Sequence, residues 1–252
     1  MSSLAILIAG LACEAILLFR ATAQKTWSRY PFFYSYILVS LIGALPVSAM
    51  YLSSSRSYWE WYWIAQFATL LLGCGIVLEL FDHALAPYPG ATKLARFIVS
   101  IGFATIACFA VLYSALSLRW TAAGTQFQME RDLRTLQAVF LSAFVILVSY
   151  YRIELGKNVK GLLQGYGIYV AASLISFALR SFAGRSFNAW LFIPPLAFDV
   201  CLLIWVIALW SYTPAPVASS AGNLETDYES LVTATQHAVG TIRSRIVKAV
   251  RP

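Results

Sequence analysis

Residues 58–89 read YWEWYWIAQFATLLLGCGIVLELFDHALAPYP, and this stretch decides the fold. It opens on Tyr58, Trp59, Trp61, Tyr62 and Trp63, rings with apolar faces and polar edges that suit the headgroup level of a bilayer. The largely apolar run from Ile64 to Phe81 is long enough to cross about 30 Å of hydrocarbon at about 1.5 Å per helical residue. Glu79, Asp82 and His83 stand at i, i+3 and i+4 near its end, so they share one helix face at the far membrane surface. Pro87 and Pro89 follow.

Working outward, 60% of the 252 residues are hydrophobic and only 12% are charged, which is more apolar surface than a water-soluble domain of this size can bury. The chain reads as an all-α, multi-pass integral membrane protein. Its net charge of +7 falls in short basic clusters between apolar runs, the pattern that orients membrane segments, so nucleic acid is not an expected partner. Cys13, Cys74, Cys108 and Cys201 all lie inside apolar runs and read as small buried hydrophobes rather than a disulfide framework.

Seven spans are expected in residues 1–210: Leu4–Phe19, Pro31–Leu52, the opening stretch, then about 97–118, 133–151, 162–182 and 189–210. The first is followed by Arg20-Ala-Thr-Ala23, which resembles a signal-peptidase site, but no lysine or arginine precedes the apolar run, so it is read as a retained helix. The sixth carries a row of small residues from Gly161 and Gly165 onward, which marks it as the most crowded helix, with a dimer face on Gly161/Gly165 as the weaker reading. Twelve basic residues (Arg20, Lys25, Arg29, Lys93, Arg96, Arg152, Lys157, Lys160, Arg243, Arg245, Lys248, Arg251) fall on one side of such a bundle. Six (Arg56, Arg119, Arg131, Arg134, Arg180, Arg185) fall on the other. That bias places the N-terminus outside and the C-terminus in the cytoplasm.

Residues 211–222 have the composition of a flexible linker, and 223–252 carry apolar residues at three- and four-residue steps, acidic at the start and basic at the end. The tail is therefore expected to be a cytoplasmic amphipathic helix, resting on the inner leaflet or offering 223–250 to a protein partner or a second copy.

Acids inside a bilayer must be paired or functional. Asp199, in the seventh span and close after Pro194 and Pro195, is the deepest; prolines inside that helix would free the carbonyls of Trp190 and Leu191 and open a polar notch. Asp199, Glu14, Pro194 and Pro195 form a candidate ion or solute pathway, weighed against a structural aspartate that shares donors with the second, third or sixth helix. Glu79, Asp82 and His83 form either an interfacial cluster paired with Arg20, Arg29 or Arg96, or the ligands of a metal-dependent hydrolase. The first is favoured, because a metal site draws ligands from elsewhere and the only other histidine is His237 in the tail. No cofactor or metal is expected. No lysine lies in an apolar run, which excludes a retinal Schiff base, and no phosphate-binding glycine loop or hydrolase motif is present.

With its Y-W-E-W-Y-W start and E-L-F-D-H-A-L-A-P-Y-P end of the third span, the chain resembles a group of uncharacterised bacterial multi-pass membrane proteins over about its first four helices. That group has no assigned activity, so the resemblance implies a fold and no chemistry. The leading expectation is a non-enzymatic sensor or scaffold subunit acting through its C-terminal helix. A small-solute or ion transporter using Glu14 and Asp199, and a hydrolase at Glu79/Asp82/His83, are the alternatives.

Overall fold

The structure, a computed structural model, describes residues 2–52, 58–116, 122–183, 192–211, 213, 224, 226–230 and 232–234. Residues 53–57, 117–121 and 184–191, which take in most of the expected outer loops 53–58 and 183–188, the start of the expected loop 119–132 and both Trp190 and Leu191, lie outside the described residues, as do nearly all of the 211–222 linker, most of the 223–252 helix and the collar side chains of Tyr58, Trp59 and Trp63. What is described is all-helical: α1 (Ser2–Ala23), α2 (Pro31–Leu52), α3 (Tyr58–Ala84), α4 (Pro89–Leu116), α5 (Ala122–Tyr150), α6 (Lys157–Ala183) and α7 (Ile193–Ala208). Four stretches are long and apolar enough to cross a membrane, Ile64–Ala84, Pro89–Phe109, Gln128–Tyr150 and Lys157–Phe182, while Pro31–Ala44 and Ile193–Ala208 are shorter apolar helices. The outward faces carry Phe97, Ile98, Ile101, Ile146, Ile175 and Leu203, fully in keeping with contact to lipid.

Two helices begin well before the spans expected from the sequence at about 97 and 133. α4 starts at Pro89, where a missing N–H costs nothing, and the Thr92 hydroxyl donates to the carbonyls of Leu85 and Tyr88 across the turn. α5 starts at Ala122 because the polar stretch ahead of Leu133 supports its own helix: Gln128 donates to Asp132 at 3.3 Å, and Thr135 to the Arg131 carbonyl at 2.8 Å. Hydropathy sees only the apolar part of such a helix, and the difference carries Arg134 from an expected outer loop into the bundle.

The hub is α3, which packs against α2, α4, α5 and α6, rather than α6, which packs against α3, α5 and α7. Gly161 and Gly165 of α6 serve α7: a Cβ on Gly161 would collide with the Ala208 side chain, and one on Gly165 with the Trp205 indole. That buried indole donates to the Leu162 carbonyl, and the Cys201 thiol to the Gly165 carbonyl. The exit of α7 is fastened by Asn158, which donates to the carbonyls of Ala208 and Ser211 and accepts from the Thr213 N–H. Arg20 and Gln24 donate to the Trp210 carbonyl.

Pro194 and Pro195 fall in the first turn of α7, not inside a longer helix. Its first backbone bond runs from the Leu196 N–H to the Phe192 carbonyl, so the prolines remove donors that were orphans in any case. The notch expected at the carbonyls of Trp190 and Leu191 falls outside the described residues.

Candidate functional site

Three groups of polar side chains lie within the bundle. The first is the end of α3. Glu79 is buried and its two carboxylate oxygens accept from the backbone N–H groups of Phe32 and Phe33, capping the start of α2. Asp82 pairs with Arg96 as one of the two expected arrangements requires, while the His83 ring bonds its own helix at the Glu79 carbonyl and stacks on Tyr30 at 4.6 Å. Three side chains that share a helix face thus turn to three different partners. Among the described residues no group of three or more His, Cys, Asp or Glu is placed to hold a metal ion.

The second group joins α1 to α7. Glu14, only 3% exposed, is hydrogen-bonded to Ser40 of α2 and lies close enough to Asp199 for the two carboxyls to interact. Gly10, one turn before Glu14, provides the space: a Cβ there would sit 2.8 Å from the Asp199 Oδ1. The structure therefore brings Glu14 and Asp199 together, with Pro194 and Pro195 in the first turn of the helix that carries Asp199. Asp199 is half-buried and has no hydrogen-bond partner among the described residues, so the expected donors from α2, α3 or α6 are not what holds it.

The third group was not read from the sequence. Arg134 of α5 is 1% exposed, and among the described residues no carboxylate lies within salt-bridge distance of it. Its Nη1 donates to Gln137 Oε1 at 3.2 Å and Tyr166 Oη at 3.3 Å, and its Nη2 to Tyr169 Oη at 3.2 Å, with the guanidinium also 4.6 Å from the Tyr169 ring centre. The Tyr166 hydroxyl donates to Gln137, whose amide donates to the Cys74 thiol. Gly73 of α3 makes this possible, because a Cβ there would meet the Tyr166 hydroxyl and lie 3.2 Å from the Gln137 amide. The acceptors around the cation are all neutral, and its Nε is buried with no partner. A buried charge so placed is costly unless something further compensates it.

Beside this arginine is a cavity of about 180 Å³ between the middle of α2, the N-terminal half of α3, α6 and α7. Tyr36, Tyr62, Tyr169 and Phe198 give it aromatic walls, and Ser40, Gln66 and Thr69 add polar groups. It touches both neighbouring groups: Ser40 is the partner of Glu14, and Tyr169 the partner of Arg134. Asp199 does not line it, although the adjacent Phe198 does. Comparison with protein-family models, curated proteins and solved structures finds no match to this chain. The arginine and its cavity are accordingly read from their own chemistry. A signal for Arg134 was available in Arg134-x-x-Gln137, one polar pair three residues apart opposite apolar neighbours on the α5 face.

Proposed function

We propose that this chain is a non-enzymatic, seven-span membrane sensor or scaffold subunit, N-terminus outside, that passes the state of its polar core to a cytoplasmic C-terminal helix. The single observation that carries the reading is that α5 touches both ends of such a pathway. Arg134 and Gln137 sit in its first half. Tyr151, just past its last residue, donates to the Asp227 carboxylate at 3.0 Å, and Leu224 is packed into the core at 6% exposure. About 26 Å of continuous helix links the cation to the first turn of the tail. Rigid elements of this kind carry coupling when both ends bias the same two arrangements.

The test is a spin label at T233C, in a Cys108→Ser background, on the purified full chain. Tyr151→Phe loosens the label directly. Tyr169→Phe, on α6 against Arg134, loosens it too if the reading holds, while the lipid-facing Ile168→Ala does not. A folded Tyr169→Phe protein with unchanged label mobility would remove the basis of the proposal.

One observation favours a second reading, a small-solute or ion transporter: Glu14 reaches the cavity wall through Ser40 and lies beside Asp199. Ion-coupled flux in proteoliposomes that disappears with Asp199→Asn would select it. For a hydrolase at Glu79, Asp82 and His83, each of those groups would first have to leave the partner it holds.

A further inference from the structure

The hydrogen bonds around Arg134 lead to tyrosine hydroxyls on the cavity wall. Tyr169 Oη accepts from the guanidinium and is hydrogen-bonded to Tyr36, so one of these two hydroxyl hydrogens closes that bond. Both tyrosines line the cavity. A hydroxyl polarised by a cation behind it is a strong donor for an acceptor on the open side. The charge argues for what that acceptor is. Arg134 is buried among neutral partners with its Nε unbonded. The nearest acid on its own helix, Glu130, acts on Arg134 from beyond salt-bridge distance and accepts from Gln66 at 2.8 Å, and Glu14 does not line the cavity but is bonded to Ser40, which does. Space and shape complete the description: about 180 Å³ compares with roughly 150 Å³ for a cavity that admits one benzene ring, and the walls are rings.

We propose that this cavity binds a small carboxylate with a flat apolar body, its head on the Tyr36 and Tyr169 hydroxyls and its charge balanced by Arg134. The inference rests on the sensor reading for its biological meaning, but binding is measured without the tail. The probe is benzoate against its neutral isostere benzamide, by calorimetry on the full chain in detergent. Benzoate binds, and benzamide binds at least about tenfold more weakly, the scale of a hydrogen bond to a charged group. Tyr169→Phe keeps the ring and narrows that gap, and Ala44→Phe, which fills the cavity from α2, abolishes binding of both. Equal affinity for the two probes overturns the proposal, as does benzoate binding untouched by Ala44→Phe or no benzoate binding to folded protein at about 10 mM. Benzoate binding without any change in tail mobility defeats the sensor reading alone. A tail that answers to Tyr169→Phe in a protein that ignores benzoate defeats the ligand assignment alone.

Discussion

Glu79 Oε2 accepts the backbone N–H of Phe33 at 3.0 Å, so an acid 46 residues later in the chain caps the helix that Phe33 begins. With the Phe32 N–H at 3.2 Å on the other oxygen, one buried carboxylate satisfies two of the orphan donors that every helix start leaves. Glu79→Ala is therefore expected to destabilise the bundle by about 1–3 kcal/mol, and Glu79→Gln, which keeps one acceptor oxygen, by less. Thermal midpoints in detergent check this. An Ala variant as stable as the parent would mean that other groups cap α2.

Gly165 and Gly167 lie on the same helix two residues apart and face opposite fates. Gly165→Ala drives a methyl into the Trp205 ring and is expected to cost about 1–3 kcal/mol, whereas Gly167→Ala meets open space and should be neutral or stabilising by up to about 1 kcal/mol. Chemical cross-linking of both variants separates this from a dimer face. Loss of an oligomer with no loss of stability in Gly165→Ala would restore the intermolecular reading of these glycines.

The helical, membrane-compatible architecture was legible because apolar runs of span length leave few alternatives. The Asp82–Arg96 pair was legible too, since both charges fall at the same end of adjoining helices. Less legible was what each small or polar residue faces. The row on α6 announced close packing but not that its Gly161 and Gly165 receive α7, and the prolines of α7 announced a helix disturbance whose position depends on where the helix starts. Arg134 was hidden for a related reason: beside Arg131 and Asp132 it looks like loop charge, and only the early start of α5 turns it inward.

That relocation bears on topology. Arg134 no longer belongs among the charges expected outside, so the excess of basic residues on the α1–α2, α3–α4 and α5–α6 turns grows. Reporter fusions at Ser54 and Ser219 should report opposite sides, Ser54 outside and Ser219 in the cytoplasm. Both on one side would refute the odd number of crossings on which the sensor proposal depends.

Asp199 now carries a different expectation from a donor-rich acid. Since it holds no hydrogen bond among the described residues, Asp199→Leu strands nothing and should change the thermal midpoint little, within the range of about 0.5 kcal/mol typical of sites without such features. Asp199→Asn should be equally tolerated. A loss of 2 kcal/mol or more in Asp199→Leu would reveal a partner, and loss of ion-coupled flux at unchanged stability would move the function to Glu14 and Asp199.

The tail offers the last prediction, because its first turn is both attached and dispensable. A chain ending at Ala221 loses the Leu224 side chain from the core and the Asp227 partner of Tyr151, while Asn158, Arg20 and Gln24 still fasten the end of α7. It should fold, less stable by about 1.5–3 kcal/mol for the buried leucine, with little added by the exposed hydrogen bond. In the full chain, partial burial and the Asp227 carboxylate hold the Tyr151 hydroxyl above the usual tyrosine range. A raised folded value means that the neutral form is favoured by docking, so the contribution is complete below about pH 10 and fades as pH rises past the folded value, when a phenolate would face a carboxylate. Mobility of the T233C label should therefore climb at the alkaline end, and Tyr151→Phe should remove that limb while loosening the tail at neutral pH. If the alkaline limb persists in Tyr151→Phe, the tail is held by something other than this pair, and α5 does not end at the contact through which it is proposed to act.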